Sequence, residues 1–417
     1  MNICIVNTFF PPHVSGTARA AFLLSNELSK RGHRVVVITS STSVVPRIDR
    51  FNGVTVYRLR SVRYPRLHLL HRAELYCNLL PGNLGTIVDI LKKHKIDVVQ
   101  TYGQFFDLTI IAVAASRMLG IPVVLTIGTR LEHPRARLYD TLFLLADRIL
   151  IKRVVAHRVD RIVAPDKLMK DYIIKRYCVN KQFIRFIPTG VDINRFDKLE
   201  GRPIRKKYCV DDEDPLVLSL GTISNLRNPR SLIKAMPRVL EEFPSSKLLF
   251  VGDVYSPEAM HLVKRLGLED SAIFCGKVEY TMVPSYLGAC DVEGHDLESG
   301  LGIGLASLEA MAAGKPVLSS ARQDNFIDLR LENWKNIVLV RPGHVEDISS
   351  ALLRLLSDRR LREDIGENAR KFIREHFSLD SECRKYEAVY SEIGAESREL
   401  DSRTNSHQEN SQSWGAL

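Results

Sequence analysis

The strongest constraint on this fold is the regular alternation of short β-branched runs with amphipathic segments along almost the whole chain. Short apolar runs predict buried strands, and the amphipathic segments between them predict helices. Because parallel strands need a crossover connection, this βαβ alternation is typical of a doubly wound parallel sheet. The first half predicts strands at Ile3–Asn7, Arg34–Thr39, Val54–Leu59, Val98–Thr101, Val123–Ile127, Arg161–Ala164 and Phe183–Ile187.

The second half repeats the same alternation after a joint near the sequence IPTGVDINRF. A chain of 417 residues is too long for one ordinary core, so we predict two Rossmann-like domains, residues 1–195 and 196–377, that face a central cleft. The polar segment Ser397–Leu417 predicts a disordered tail. Strands of the second half are predicted at Leu216–Leu220, Lys247–Val251, Ile273–Phe274, Asp291–Val292, Pro316–Ser319 and Ile337–Leu339.

Positive charge is concentrated in the first half. Residues 1–190 contain 29 Lys and Arg against 12 Asp and Glu, a net charge of +17, whereas the remainder has a net charge of −7. Arginines among tyrosine and leucine residues suit the headgroups of an anionic membrane, and no nucleic-acid module accompanies them. We therefore expect a membrane surface or a lipid-linked acceptor, with an ordinary basic surface as the alternative. The arginines concerned are Arg58, Arg60, Arg63 and Arg66.

Other classes of protein are disfavoured by the sequence. The N-terminus lacks a basic region before its apolar run, so it predicts a first strand and not a signal peptide. No apolar run reaches the ~20 residues that span a bilayer. Seven scattered cysteines without a CxxC pair argue against disulfides and a zinc site, and favour the cytoplasm.

Two loops that follow predicted strands could bind an anion. In FFPPHVSGTARA, Gly16 allows close approach to the backbone at the start of a helix, where free N–H groups favour anions. In LVLSLGTISNLRNPR, Gly221 and Thr222 lead to Arg227, whose guanidinium could bind a diphosphate. Neither loop has the GxGxxG pattern, so nicotinamide and flavin cofactors are disfavoured. Either loop alone could be an ordinary strand–helix turn.

The third loop is HDLESGLGIGLASLEAMAAGKPV, residues 295–317. Gly302 and Gly304 keep it open before a helix, so a phosphate or sugar could contact main-chain N–H groups. Glu309 follows in that helix, where its carboxylate could accept hydrogen bonds from ribose hydroxyls. The same helix also has an ordinary packing face, which ends at Gly314.

These three loops in this order, together with IPTGVDINRF, resemble the retaining glycosyltransferases of family four (glycosyl transferases group 1), which have the GT-B fold. The resemblance extends from Met1 to about Ile393. It implies that Gly16 faces the donor diphosphate, Arg227 replaces the usual phosphate-binding lysine and Glu309 holds the ribose. It also implies a UDP- or GDP-linked sugar as co-substrate, no obligatory metal, and a final helix, 378–393, that returns to the N-terminal domain.

Three positions depart from the family pattern. Thr222 stands where the family usually has an arginine, Leu301 stands where its Glu-x7-Glu motif has the first carboxylate, and Gly128 stands where a histidine is common. Losing one phosphate-binding cation removes ~2–4 kcal/mol of stabilisation of the leaving diphosphate. Other residues could take over the roles of these missing side chains. The candidates for catalytic residues lie in the loop before Glu309 and are His295, Asp296 and Glu298. Further candidates for the missing positive charge and histidine are Arg227, Arg130 and His133.

Two functions therefore remain open at this stage. The first is a retaining glycosyltransferase with a rebuilt donor site, acting at the cytoplasmic membrane face on a lipid-linked or cell-surface glycan acceptor. The second is a non-catalytic GT-B protein that serves as a scaffold for an active transferase. A GT-B sugar epimerase is disfavoured, because its acid–base carboxylates and histidines have no evident place in this sequence. His295 and Asp296 could also serve only to shape the loop.

Overall fold

The computed structural model describes residues 1–13, 15–41, 47–63, 76–129, 145, 147–223, 230–254, 257–295, 297 and 302–413. These residues form two compact units. The N-terminal unit contains residues 1–165, 169–188 and the C-terminal residues from 382 onward. The C-terminal unit contains residues 166–168 and 189–381.

The N-terminal unit is built on an eight-stranded sheet with the order β10-β9-β8-β7-β1-β2-β4-β3. All neighbouring strands are parallel except β3, which pairs antiparallel with β4 at the edge. A separate two-stranded ribbon pairs β5 with β6. The strands are β1 Asn2–Val6, β2 Arg34–Ser40, β3 Ile48–Phe51, β4 Val54–Leu59, β5 Val62–Arg63, β6 Tyr76–Cys77, β7 Val98–Tyr102, β8 Val123–Thr126, β9 Arg161–Ala164 and β10 Ile184–Phe186.

Helices cover both faces of this sheet, because a parallel sheet must bury both of its apolar faces. Val6 and Val36 belong to the apolar cluster on one face, whereas Ile5 and Val37 belong to the cluster on the other. The helices of this unit are α1 Gly16–Lys30, α2 Asn83–Lys93, α3 Asp107–Met118, a π-helical segment Asp147–Ala156, and α4 Lys167–Tyr177, whose first two residues cluster with the other unit.

The C-terminal unit contains a six-stranded, fully parallel sheet with the order β13-β12-β11-β14-β15-β16. Its strands are β11 Leu216–Leu220, β12 Lys247–Val251, β13 Ala272–Gly276, β14 Val292–Gly294, β15 Val317–Ser319 and β16 Val338–Leu339. Its helices are α5 Arg202–Lys207, α6 Arg230–Glu242, α7 Pro257–Arg265, α8 Val283–Ala289, α9 Leu305–Ala312, α10 Val345–Ser357 and α11 Arg359–His376, with short 3-10 turns at Ile193–Phe196 and Tyr280–Met282.

Each sheet reverses its strand order at one point. In the N-terminal sheet the reversal lies between β1 and β7, and in the C-terminal sheet it lies between β11 and β14. Crossovers leave such a point in opposite directions, so a crevice opens beyond the carboxyl ends of the two strands. The loops after β1 and β14 are therefore the places where each unit can receive a ligand.

A long last helix, α12 (Leu379–Ser413), packs onto the N-terminal sheet through Cys383, Tyr386, Val389, Tyr390 and Ile393. Two of its tyrosines are buried and reach polar groups of central strands. The Tyr386 hydroxyl lies 2.8 Å from Thr126 Oγ1, and the Tyr390 hydroxyl donates to Gln100 Oε1 at 3.2 Å. The apolar bodies of both rings pack into the core of this unit, so α12 is one of its structural layers.

Carboxylates of α12 pair with arginines of the same unit. Arg31 donates two hydrogen bonds to Glu387, at 2.9 and 2.7 Å, and Arg161 donates to Glu392 at 2.8 Å. Arg185 also pairs with Glu392. The side chain of Arg161 is nearly buried, so its acidic partner Glu392 offsets the free-energy cost of burying its positive charge.

The structure differs from the sequence predictions at the C-terminal tail, in the edge strand β3, in the short ribbon of β5 and β6, and in a π-helical segment. The tail predicted to be disordered from Ser397 is helical to Ser413, since residues 395–413 contain no glycine or proline to stop α12. The edge strand β3 escaped prediction because the segment is short and half polar. The amphipathic segment Tyr139–His157 predicts an α-helix from its sequence pattern, but residues 147–156 within it adopt π-helical hydrogen bonding.

The pairing of α12 predicts a loss of stability in acid. Hydrogen bonds from Arg31 and Arg185 lower the pKa of Glu387 and Glu392, respectively, below the usual value of 4.5. A carboxyl group with a lowered folded-state pKa stabilises the fold above its unfolded pKa, and this contribution disappears as pH falls through the folded value. The variant Glu387→Gln/Glu392→Gln should be less stable than the unaltered protein at pH 7, and this difference should shrink below pH 4.5.

The measurement is urea unfolding of both proteins at pH 7, 4 and 3, followed by circular dichroism. A second double variant, Glu279→Gln/Glu367→Gln, changes two exposed glutamates of the C-terminal unit and controls for net charge. A stability difference that stays constant from pH 7 to pH 3 would contradict the role of these ion pairs.

Candidate functional site

The reversal point of the C-terminal sheet brings Gly221 and His295 into contact. Gly221 follows β11 and has φ +136°, and His295 follows the neighbouring strand β14. A Cβ atom at Gly221 would lie 2.7 Å from His295 Nε2, so only glycine fits here. His295 is 4% exposed, and its Nδ1 lies 3.3 Å from Ser219 Oγ. The histidine therefore forms part of the wall at this reversal point, and its predicted catalytic role remains a prediction.

The residue that follows the neighbouring strand β12 packs against the loop after β11. Gly252 follows β12, and a Cβ atom there would lie 2.1 Å from the carbonyl oxygen of Gly221. Gly221 donates its N–H to Val251 at 2.8 Å. Backbone packs directly against backbone at this edge, which holds the loop after β11 in place. Thr222, the next residue along the chain, is exposed.

Helix α9 begins beside the same edge of the sheet. Gly304 occupies its N-cap position with φ −80° and ψ 166°, and the Gly304 carbonyl accepts from Leu308 N–H at 3.1 Å. Inside the first turn, Ser307 Oγ donates to Glu293 Oε2 at 3.1 Å, and both side chains are buried. This bond ties the start of α9 to the centre of β14, so the N–H groups of the first turn stay at the carboxyl end of the strands.

Glu309 is held in place by a residue that the sequence analysis did not single out. Glu309 is 5% exposed, and its carboxyl group accepts a hydrogen bond from the Tyr280 hydroxyl. The Tyr280 ring packs under the guanidinium of Arg195, whose carbon lies 4.1 Å from the ring centroid. Arg195 also donates to the Tyr280 carbonyl at 3.3 Å. Tyr280 is thus fixed from two sides and can orient Glu309.

Gly302 lies on the glycine loop before α9 and is packed against the turn that follows β15. Its φ of +98° falls in the region that favours glycine, and a Cβ atom would lie 2.7 Å from Asn325 Oδ1. The loops after β11, β14 and β15 therefore meet at one edge of the sheet, as their parallel pairing requires.

The N-terminal unit has its own loop at its reversal point. Gly16 is the exposed first residue of α1, and the side chain of Ser15 caps the helix by accepting from Ala18 N–H at 3.2 Å. The buried Asn7 shapes the preceding loop, since its Nδ2 donates to the carbonyls of Phe9 and Thr17 at 2.7 and 3.0 Å. The loop predicted at Gly16 is thus a capped helix start with room beside it, because no atom of the described residues lies within 4 Å of a Cβ placed on Gly16.

The assignment of Arg58 to a membrane-facing surface is wrong. Arg58 is 6% exposed; it donates to the Pro11 carbonyl at 2.9 Å and its Nη1 lies 3.7 Å from Asp49 Oδ2. Burial lowers the pKa of this guanidinium, and the Asp49 carboxylate acts in the opposite direction. Arg58 therefore supports the loop that precedes Gly16. Arg60 is exposed beside the short ribbon, and so is Arg63 within it.

Several predicted site residues lie outside the described residues, so their roles remain predictions. In the C-terminal half these are Arg227, Asp296 and Glu298, together with Leu301. In the N-terminal half they are Arg66, Arg130 and His133.

Two family models match the chain. The model "Glycosyltransferase Family 4" matches residues 14–195, and "Glycosyl transferases group 1" matches residues 202–372. The chain belongs to the family-four glycosyltransferases. Its two Rossmann-like units are the two domains of the GT-B fold, and Gly221, Gly302 and Glu309 all lie within the region matched by the second model.

Relatives and structural neighbours of this glycosyltransferase agree with that assignment. Alpha-monoglucosyldiacylglycerol synthase of Streptococcus pneumoniae is 28% identical over 329 residues, which are 75% of this chain and 69% of the relative. N-acetyl-alpha-D-glucosaminyl L-malate synthase of Bacillus anthracis is 24% identical over 92% of this chain and 95% of the relative. The crystal structure of Anabaena HepE in complex with UDP superposes with a TM-score of 0.72 and 17% identity over 94% of this chain and 100% of HepE, which shows the shared fold.

Helix length and the grouping of metal-binding side chains bear on membrane and metal binding in the described residues. None of the helices in that part of the chain combines the length and the apolar character needed to cross a membrane. Within the same residues, no group of three or more His, Cys, Asp or Glu side chains is arranged to hold a metal ion.

The packing of Gly302 predicts an unequal effect of two glycine substitutions. Gly302→Ala introduces a methyl group against Asn325 Oδ1 and forces alanine into a positive-φ conformation, so it should cost about 1–3 kcal/mol of stability. Gly16→Ala meets no neighbouring atom and should change stability by less than about 0.5 kcal/mol. Thermal unfolding of the two unliganded variants measures the difference, and equal melting temperatures would contradict the described packing.

Proposed function

We propose that this glycosyltransferase binds a nucleotide-diphosphate sugar, linked to UDP or GDP, in its C-terminal unit and transfers the sugar with retention of configuration. The acceptor is a lipid-linked or cell-surface glycan at the cytoplasmic membrane face. The observation that carries the proposal is the buried residue Glu309, which lies in the helix that follows the glycine loop. Its carboxyl group is oriented by a hydrogen bond from Tyr280.

The geometry supports this donor site in two respects. Glu309 accepts from Tyr280, and the two oxygens of a carboxylate can also accept hydrogen bonds from hydroxyl groups such as those of a ribose. The first turn of α9 supplies backbone N–H groups near the end of β14, where a diphosphate can be bound without a metal. The related fold of HepE, whose structure is in complex with UDP, supports a nucleoside diphosphate as the ligand.

In the transfer of a sugar with retention of configuration, the main tasks of the protein are to position the sugar and to stabilise negative charge on the leaving diphosphate. The leaving phosphate itself can take the proton of the acceptor. Glu309, Tyr280 and Gly302 fit a positioning task, because each of them is held by packing or hydrogen bonds. Thr222, which is exposed, supplies no positive charge for the diphosphate. This role therefore falls to the helix N-terminus and to the predicted donor-site residue Arg227.

Donor binding is tested by titrating the protein with UDP, GDP, UDP-glucose and GDP-mannose in a thermal shift assay. A ligand of the folded state raises the melting temperature by mass action. Glu309→Ala should weaken nucleotide affinity at least tenfold, since loss of a hydrogen bond to a charged group costs about 1.5–3 kcal/mol. Tyr280→Phe should have a smaller effect in the same direction, because it removes only the group that orients Glu309.

The matched control is Glu279→Ala, which removes an exposed carboxylate next to Tyr280 and should leave affinity unchanged. Absence of a shift with all four ligands would refute the donor site and favour a scaffold function for this chain. Unchanged affinity of Glu309→Ala would refute the ribose role alone.

The proposed membrane surface rests on exposed basic and apolar residues of the N-terminal unit. Arg60 and Arg63 are exposed beside Val62, which is 53% exposed, and Leu79 is 61% exposed. Large apolar groups exposed among arginines suit the boundary between headgroups and acyl chains. The name of the Streptococcus pneumoniae relative, a diacylglycerol glycolipid synthase, supports a lipid acceptor.

Membrane binding predicts that Arg60→Gln/Arg63→Gln weakens co-sedimentation with vesicles containing phosphatidylglycerol. Each basic group near an anionic surface contributes about 1 kcal/mol, so two substitutions should reduce the partition coefficient roughly thirtyfold at low salt. The effect should shrink at 0.5 M salt, where charges are screened.

A matched pair in the C-terminal unit serves as the control for this experiment. Lys264→Gln/Arg265→Gln removes two exposed cations from α7 and should leave sedimentation unchanged. Equal pelleting of the unaltered protein with anionic and with phosphatidylcholine vesicles would contradict the membrane proposal.

A further inference from the structure

A buried amide without a hydrogen-bond partner lies directly against the glycine loop of the C-terminal unit. Asn325 is 1% exposed, and neither its Nδ2 nor its Oδ1 has a partner among the described residues. A Cβ atom at Gly302 would lie 2.7 Å from Asn325 Oδ1, so the amide touches the loop itself. Burying an amide in this way is costly unless a ligand or water completes its hydrogen bonds.

The backbone around Asn325 is anchored, so the amide is held at this position. Asn325 donates its N–H to the Arg322 carbonyl at 3.1 Å, which closes a turn just after β15. The next residue, Phe326, is buried, and its ring meets that of Phe377 edge-on with centroids 4.7 Å apart. The amide is thus presented by an anchored turn.

Sheet topology brings this turn to the glycine loop. Strand β15 pairs in parallel with β14 through Glu293–Val317 and Gly294–Leu318. Both strands therefore end at the same edge of the sheet. Strand β15 leads to Asn325, and strand β14 leads to the glycine loop. Another asparagine of the unit shows the contrast: the buried Asn336 uses its Oδ1 to accept from Glu332 N–H at 2.9 Å and so has a structural role.

A primary amide has two N–H donors and a carbonyl acceptor, and a sugar hydroxyl both donates and accepts. In the sequence, Gly302 directly follows Leu301, whose side chain has no polar atom where the family motif has a carboxylate. We infer that Asn325 hydrogen-bonds hydroxyl groups of the transferred sugar and compensates for the missing carboxylate. This inference rests on the proposed donor site and makes Asn325 a specificity-determining residue for the sugar, not for the nucleotide.

The test separates affinity for the sugar from affinity for the nucleotide. Unaltered protein, Asn325→Ala and Asn325→Leu are titrated calorimetrically with UDP, UDP-glucose, GDP and GDP-mannose. Leucine resembles asparagine in shape but has no polar atoms. Both variants should bind the preferred nucleotide sugar at least tenfold more weakly and its bare nucleoside diphosphate within twofold of the unaltered protein.

The melting temperature of the unliganded variant gives a second readout. It distinguishes a ligand-binding asparagine from one that stabilises the fold. Because the Asn325 amide has no hydrogen-bond partner among the described residues, Asn325→Leu should leave the melting temperature of the unliganded protein unchanged or raise it. Gln323→Ala, an exposed amide on the same turn, is the matched control and should bind all four ligands normally.

Three results would overturn the inference. They are unchanged affinity for nucleotide sugars in both variants, equal losses for the sugar and for the bare diphosphate, and a lowered melting temperature of Asn325→Leu. Failure of the unaltered protein to bind any of the four ligands is a different result, because it contradicts the proposed donor site on which the inference rests.

Discussion

Parallel pairing of β14 with β11 on one side and β15 on the other determines where ligand-binding groups can lie in the C-terminal unit. All three strands point the same way, so their following loops emerge at one edge. Gly221, Gly302 and Asn325 reach that edge from three separate stretches of sequence. Glycine at the first two positions lets backbone, His295 and the Asn325 amide approach closely, and a side chain there would separate them.

The N-terminal unit depends on a different balance, between buried positive charge and the acidic last helix. Much of the apparent basic character of the first half is matched inside the fold: Arg31, Arg161 and Arg185 pair with α12, and Arg58 supports a loop near Asp49. Exposed cations such as Arg60 are what remains for an anionic partner. Net charge along the sequence therefore overstates the charge that the surface presents.

Sequence alone predicted the framework well, because central parallel strands are buried on both faces and appear as continuous apolar runs. Strands such as Leu216–Leu220 and Lys247–Val251 have the predicted bounds. It could not predict Tyr280 or Asn325, whose importance comes from partners 29 and 23 residues away, Glu309 and Gly302. Nor could it show that Arg58 is buried, because a charged residue is usually exposed.

Closure of the N-terminal sheet by α12 has a consequence for biosynthesis. Residues 189–381 of the C-terminal unit are all synthesised before the stretch from Glu382 that supplies Tyr386 and Tyr390. Domains usually mature in chain order on the ribosome, the first one first. Here the first unit cannot complete its core until the residues up to Ile393 have been synthesised, so the second unit can finish folding before the first on the nascent chain.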